Sequence, residues 1–138
     1  HPVAAWRGGA LVDVVWHHRL LAATASDDRE AKIWSAKTGA CEHTLAGHRG
    51  AVSWVAFSED GRTVLTASAD GTAKAWSSET GECQLTLVGH KGPVRFAAFF
   101  SKGLAILTFS DDATVRLWHA GTGECKLLLT GHSGAISW

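Results

Sequence analysis

The chain has 138 residues, 46% of them hydrophobic and 19% charged, so a packed core is attainable and disorder is not expected. Thirteen Lys and Arg balance thirteen Asp and Glu; the positive footprint of a protein that neutralises nucleic-acid phosphates or coats an anionic membrane is missing, and neither partner is expected. No apolar run reaches the about 18 residues that a membrane-spanning helix needs, and three cysteines without a C-x-x-C pair argue against a disulfide framework, which suits a reducing compartment, cytoplasmic or nuclear.

A period of 42 residues runs through the chain. Gly47-His48, Gly89-His90 and Gly131-His132 keep it, as do Thr24, Thr66 and Thr108, Ser26, Ser68 and Ser110, Asp28, Asp70 and Asp112, Trp34, Trp76 and Trp118, and Cys41, Cys83 and Cys125. Residues 47–88 and 89–130 share about 19 identities in 42 positions without a gap. In chain order, His1 to Ala5 carry the register of a fourth strand, residues 6–46 form a first unit, 47–88 a second and 89–130 a third, and 131–138 restart the period. The second unit shows the local structure. Residues 51–57 read as a strand ended by Glu59-Asp60-Gly61, residues 63–68 as a second, and Asp70-Gly71 turns the chain into a third over 72–76. Thr80-Gly81 turns it again into a fourth over 83–87. Four short antiparallel strands make a small sheet that cannot bury both faces alone.

Gly-His before a strand, then Phe57-Ser-Glu-Asp-Gly61, Leu65-Thr-Ala-Ser-Ala-Asp-Gly-Thr72, Lys74-Ala-Trp76 and Thr80-Gly-Glu-Cys83, all at one period, resemble the WD-repeat family. The Asp that usually follows the Trp is replaced by Ser35, Ser77 and His119. The resemblance implies an all-β fold of β-propeller blades: residues 6–46, 47–88 and 89–130 as three blades, 1–5 as the last strand of a preceding blade and 131–138 as the first of a following one. Three blades cannot close a ring, for which four is the usual minimum and seven the commonest number the family implies. With Met absent, the chain is therefore expected to be an arc of a larger propeller, stable beside its remaining blades, copies of itself or a partner.

The resemblance also implies a hydrogen-bonded chain of His, Ser or Thr, Asp and Trp inside each blade, here His48, Ser68, Asp70 and Trp76, then His90, Ser110, Asp112 and Trp118. Buried polar groups must find partners, and a shared network satisfies them together. In the first blade Trp6 stands in the His position, leaving Ser26, Asp28 and Trp34 as an incomplete set, while His132 opens a fourth. A His, Ser and Asp trio recurring at one register suits a structural brace better than a hydrolase triad, and no oxyanion-hole feature accompanies it. Each cysteine opens an expected fourth strand on a different blade, where the family often carries a small apolar residue, so a packing role is expected. His17-His18 falls in an expected turn without a carboxylate or cysteine at ligand spacing, and no metal or other cofactor is expected. Trp54, Phe96 and Trp138 recur in the first strand, near a blade interface; Trp6 and Trp16 belong to neither aromatic series and are the aromatics expected to be exposed.

In the family, partner contacts cluster just before and within the first strand and at the residue preceding the network Asp. Carried over by position, this selects Ala51, Ser53 and Ala69, then Pro93, Arg95 and Asp111, and Gly9, Leu11 and Asp27; of these, Arg95, Asp111 and Asp27 are the polar candidates. Two readings stay open: a non-catalytic scaffold binding protein partners within a larger assembly, or the recognition propeller of a multidomain enzyme, a ligase or NTPase, whose catalytic domain lies elsewhere. Within these residues no nucleophile and base pair, phosphate loop or metal cluster argues for catalysis.

Overall fold

The computed structural model describes residues 11–17 and 19–130, and every regular element among them is a β-strand. In order these are β1 (Leu11–His17), β2 (Leu21–Ser26), β3 (Glu30–Ser35), β4 (Cys41–Ala46), β5 (Val52–Phe57), β6 (Thr63–Ser68), β7 (Thr72–Ser77), β8 (Cys83–Val88), β9 (Val94–Phe100), β10 (Ala105–Ser110), β11 (Val115–His119) and β12 (Cys125–Leu129). They form three antiparallel four-stranded sheets in sequential order, β1–β4, β5–β8 and β9–β12. Expectations for residues 1–5, Trp6, Gly9, His18 and 131–138, His132 and Trp138 included, lie outside the described residues.

Local chemistry explains the hairpins. Gly71 takes a φ of +88°, which few side chains adopt, and its N–H closes the β6–β7 turn on Ser68 O at 3.2 Å. The second strand of each sheet, β2, β6 and β10, is buried along almost its whole length and so carries apolar or small hydroxyl-bearing residues on both faces. The outermost strands, β4, β8 and β12, are mostly exposed.

The core lies between sheets rather than within them. Ile33 and Leu45 of the first sheet pack with Val52, Val55, Val64 and Trp76 of the second; Leu65 and Leu87 of the second pack with Val94, Ala97, Ile106 and Trp118 of the third. Each sheet thus acquires its buried face from its neighbour, as in other repeat architectures. The first strands are stitched across the seams by side chain to backbone bonds. Asp13 Oδ2 accepts Val55 N–H at 3.1 Å, Ser53 Oγ donates to Val94 O at 3.0 Å, and Trp54 Nε1 donates to Ala97 O at 2.9 Å while its ring tilts against Phe96.

The first strand departs from the 42-residue period. Val55 pairs with Thr66 and Ala97 with Thr108, but Val14, not Asp13, pairs with Thr24, so β1 is slid by one residue. The one-residue slip moves every side chain of the strand to the opposite face and gives Val55's place to Val14, which is exposed on this flanking sheet. Asp13 then takes the seam position of Trp54 and, like it, bonds the backbone of the next sheet.

Apolar side chains also face outward on the two flanking sheets, with Val12, Val14 and Trp16 exposed on one and Leu127, Leu128 and Leu129 on the other. The three thiols are exposed rather than packed as small apolar filler, each lying near the carbonyl oxygen two residues on. His17 ends β1 instead of sitting in a turn.

Candidate functional site

The second sheet carries a buried polar network with every proton accounted for. Trp76 Nε1–H donates to Thr66 Oγ1 at 2.9 Å, and Thr66 Oγ1 meets His48 Nε2 at 2.7 Å. The Asp70 carboxylate can only accept, so the neutral imidazole carries its proton on Nδ1, facing Asp70 Oδ2 at 3.0 Å, and the Thr66 hydroxyl donates to Nε2. Asp70 also accepts from Arg49 N–H, Thr72 N–H and the Thr72 hydroxyl, at 2.9, 2.8 and 2.6 Å. The third sheet repeats the arrangement with Trp118, Thr108, His90, Asp112, Lys91 N–H and Thr114. In the first sheet Trp34 Nε1 donates to Thr24 Oγ1 at 3.0 Å, and Ser26 Oγ accepts from Asp28 N–H at 3.2 Å.

The hydroxyl shared by imidazole and indole is therefore Thr66 or Thr108, not Ser68 or Ser110 as the resemblance implied. Those serines brace the turn instead: Ser68 Oγ donates to Gly50 O and accepts from Asp70 N–H, and Ser110 repeats both bonds with Gly92 and Asp112. The threonines kept the period in the sequence, but a threonine inside a strand also reads as an ordinary strand former.

Burial holds His48 and His90 below the ordinary 6.5, outweighing the opposite pull of Asp70 and Asp112. Burial raises the Asp70 carboxyl, but its hydrogen bonds from Thr72, Arg49 N–H and His48 prevail and hold it at about 2; Asp112 is likewise held well below the usual carboxylate range. Both shifts make stability rise with pH, since the unfolded chain binds protons that the folded one refuses. Denaturant midpoints measured across pH should be level above 7, fall as pH drops below 6.5, and fall again from 3.8 towards about 2. A midpoint unchanged from pH 7 to 4 contradicts the neutral, buried imidazoles.

The hydrogen-bonded turns gather the loops between β4 and β5, β6 and β7, β8 and β9, and β10 and β11 at one end of the sheets, where Ala69 N–H bonds Ala51 O and Asp111 N–H bonds Pro93 O, both at 2.9 Å. Arg95 and Asp111 pair there through Nε and a terminal nitrogen at 2.9 and 2.6 Å, both half-exposed. Asp27 is exposed at the β2–β3 turn on the same end. Ser53 is instead committed to the seam. The slip of β1 gives Val12, not Leu11, the place of Ser53 and Arg95, although both aliphatic residues are half-exposed. Among the described residues no group of three or more His, Cys, Asp or Glu could hold a metal ion, and no helix is long and apolar enough to cross a membrane.

The family model described as WD domain, G-beta repeat matches residues 39–77 and 81–119, more than half of the chain. The chain belongs to the WD40 family. Each matched repeat supplies the outer strand of one sheet and three strands of the next, so the backbone itself crosses every seam that it covers. WD40 repeats generally mediate protein–protein interaction and are typically non-enzymatic. The chain is 51% identical over 45 residues to a nuclear distribution protein PAC1 of Arthroderma benhamiae and, to the same extent, to that of Trichophyton verrucosum. The match takes in 33% of this chain and spans about a tenth of the length of these curated relatives.

Proposed function

We propose that the chain is a non-catalytic protein-interaction scaffold that binds protein partners through the loop end carrying Arg95, Asp111 and Asp27, inside the cell, in the cytoplasm or nucleus. The observation that carries this is the division of labour among its polar groups. His48, Thr66, Asp70, Trp76 and their counterparts in the third sheet are spent on one another, while the Arg95–Asp111 pair stands exposed and is available to re-pair across an interface. The His, Thr and Asp groups are no hydrolase triad, because Thr66 donates its proton to the imidazole and accepts the indole, which leaves no free nucleophile.

The test is affinity capture with the immobilised full chain and mass spectrometry. Proteins retained by the native chain are expected to be lost from a variant carrying Arg95→Glu and Asp27→Lys but kept by Gln84→Lys on the outer strand. Retention that ignores the loop-end substitutions, or no specific retention at all, overturns the assignment of this face.

A further inference from the structure

We propose that the chain associates with itself head to tail, the face of the third sheet that points away from the second docking on the corresponding outward face of the first sheet in another copy. Both faces are apolar. On the third sheet Leu107, Phe109, Val115, Leu117, Leu127 and Leu129 pair across the strands and so share one face. The opposite face, with Ala97, Ile106 and Trp118, packs on the second sheet. On the first sheet Leu11, Val14, Trp16 and Ala22 stand on the face opposite Asp13 and Val15, which meet the second sheet.

The two internal seams show what covers such faces. In the second sheet Leu65, Ala67, Ala73, Ala75 and Leu87 are buried against the third. One period later stand Leu107, Phe109, Val115, Leu117 and Leu129. On the other side of a seam, Val52, Val55 and Val64 are buried against the first sheet, and their places in the first sheet belong to Leu11, Val14 and Ala22. Val52, Val55 and Leu87 are buried, whereas Leu11, Val14 and Leu129 are exposed. One chain thus carries both halves of a third seam, on opposite flanks. Three sheets are too few to bring those flanks together within one molecule, so a second copy supplies the missing half.

Side-chain volume favours this occupant over an unrelated apolar partner. In the internal seams the face that receives the next sheet is small at its centre, with Ala25 and Ala31, then Ala67 and Ala73, and the sheet packed on it brings a branched residue, Val64, then Ile106. The third sheet has Phe109 and Val115 in the places of the alanines, and the first sheet has Ala22 in the place of Val64 and Ile106. Large and small have changed sides together, which keeps the volume that close packing requires. The polar stitches are not repeated. Phe96 holds the position of Asp13 and Trp54, and a phenyl ring brings no hydrogen-bonding group to a neighbouring backbone. The joint therefore rests on apolar burial, is weaker than the internal seams, and forms reversibly as concentration rises.

The experiment is sedimentation equilibrium of the full chain over a wide range of concentration. The average mass is expected to climb above the 14.6 kDa of one chain. Val14→Lys with Trp16→Lys removes one half of the joint and Leu127→Lys with Leu129→Lys removes the other, and each variant alone should keep the mass of a single chain. Mixed, the two should form a species of two chains and nothing larger, since each then supplies the half that the other lacks. All four positions are exposed in the single chain, so both variants should unfold at the native urea midpoint when dilute; where a double substitution lowers that midpoint, Trp16→Lys or Leu129→Lys alone takes its place. A native chain that keeps the single-chain mass throughout, a variant that still associates with itself, or a mixture that stays single overturns the proposal. Arg95→Glu should leave all of these masses unchanged, so the outcome is independent of the loop face.

Discussion

Trp76→Ala is expected to lower the unfolding free energy by about 3–5 kcal/mol, the range for truncating a buried Trp or Phe. The indole is 3% exposed and belongs to the core shared by the first two sheets, so its loss opens a cavity where Ile33, Leu45, Val52 and Val55 converge. It also removes the donor that points Thr66 at His48. Trp16, 69% exposed on the flank of the first sheet, provides the comparison: Trp16→Ala should change stability by no more than about 0.5 kcal/mol. Urea unfolding of the two variants beside the native chain decides it. A cost below about 1 kcal/mol for Trp76→Ala contradicts a core located between sheets.

Asp70→Ala should cost about 1–3 kcal/mol, because it orphans buried donors instead of removing a pair. The Thr72 hydroxyl and N–H, the Arg49 N–H and His48 Nδ1–H all converge on this one carboxylate. Asp70→Asn keeps one acceptor oxygen and should fall between Ala and the native residue. Both variants should also flatten the pH dependence between 3.8 and about 2, where the native carboxylate supplies its share of the slope. The fall below 6.5 should persist, since burial, and not Asp70, is what lowers His48. An unaltered melting curve for Asp70→Ala would show that the network is not buried as described.

The strands were legible because their signals are local. Asp70-Gly71 and Thr80-Gly81 mark turns by backbone chemistry, and residues 63–68 are recognisable from composition alone as β6. Membership of the polar network was only partly legible. His48, Asp70 and Trp76 announced themselves by period and polarity, but Ser68 and Thr66 lie on one strand with the same period. Which hydroxyl meets the imidazole depends on where His48, 18 residues away from Thr66, comes to rest. The slide of β1 left no mark in the spacing, because it is a change of strand register, settled by pairing and by the contact of Asp13 with the next sheet, rather than an insertion in the chain.

The period, the turn residues and the alternation of apolar side chains already dictate three small four-stranded sheets, since pairing within each sheet joins segments next to each other in sequence. Packing between the sheets dictates the rest. It places Asp13 at a seam and fills one crevice with His17 and Arg19 while leaving its counterpart open beside Phe99. These outcomes turn on the shape and charge of side chains about one repeat apart, and such encounters exist only once neighbouring sheets have packed face to face.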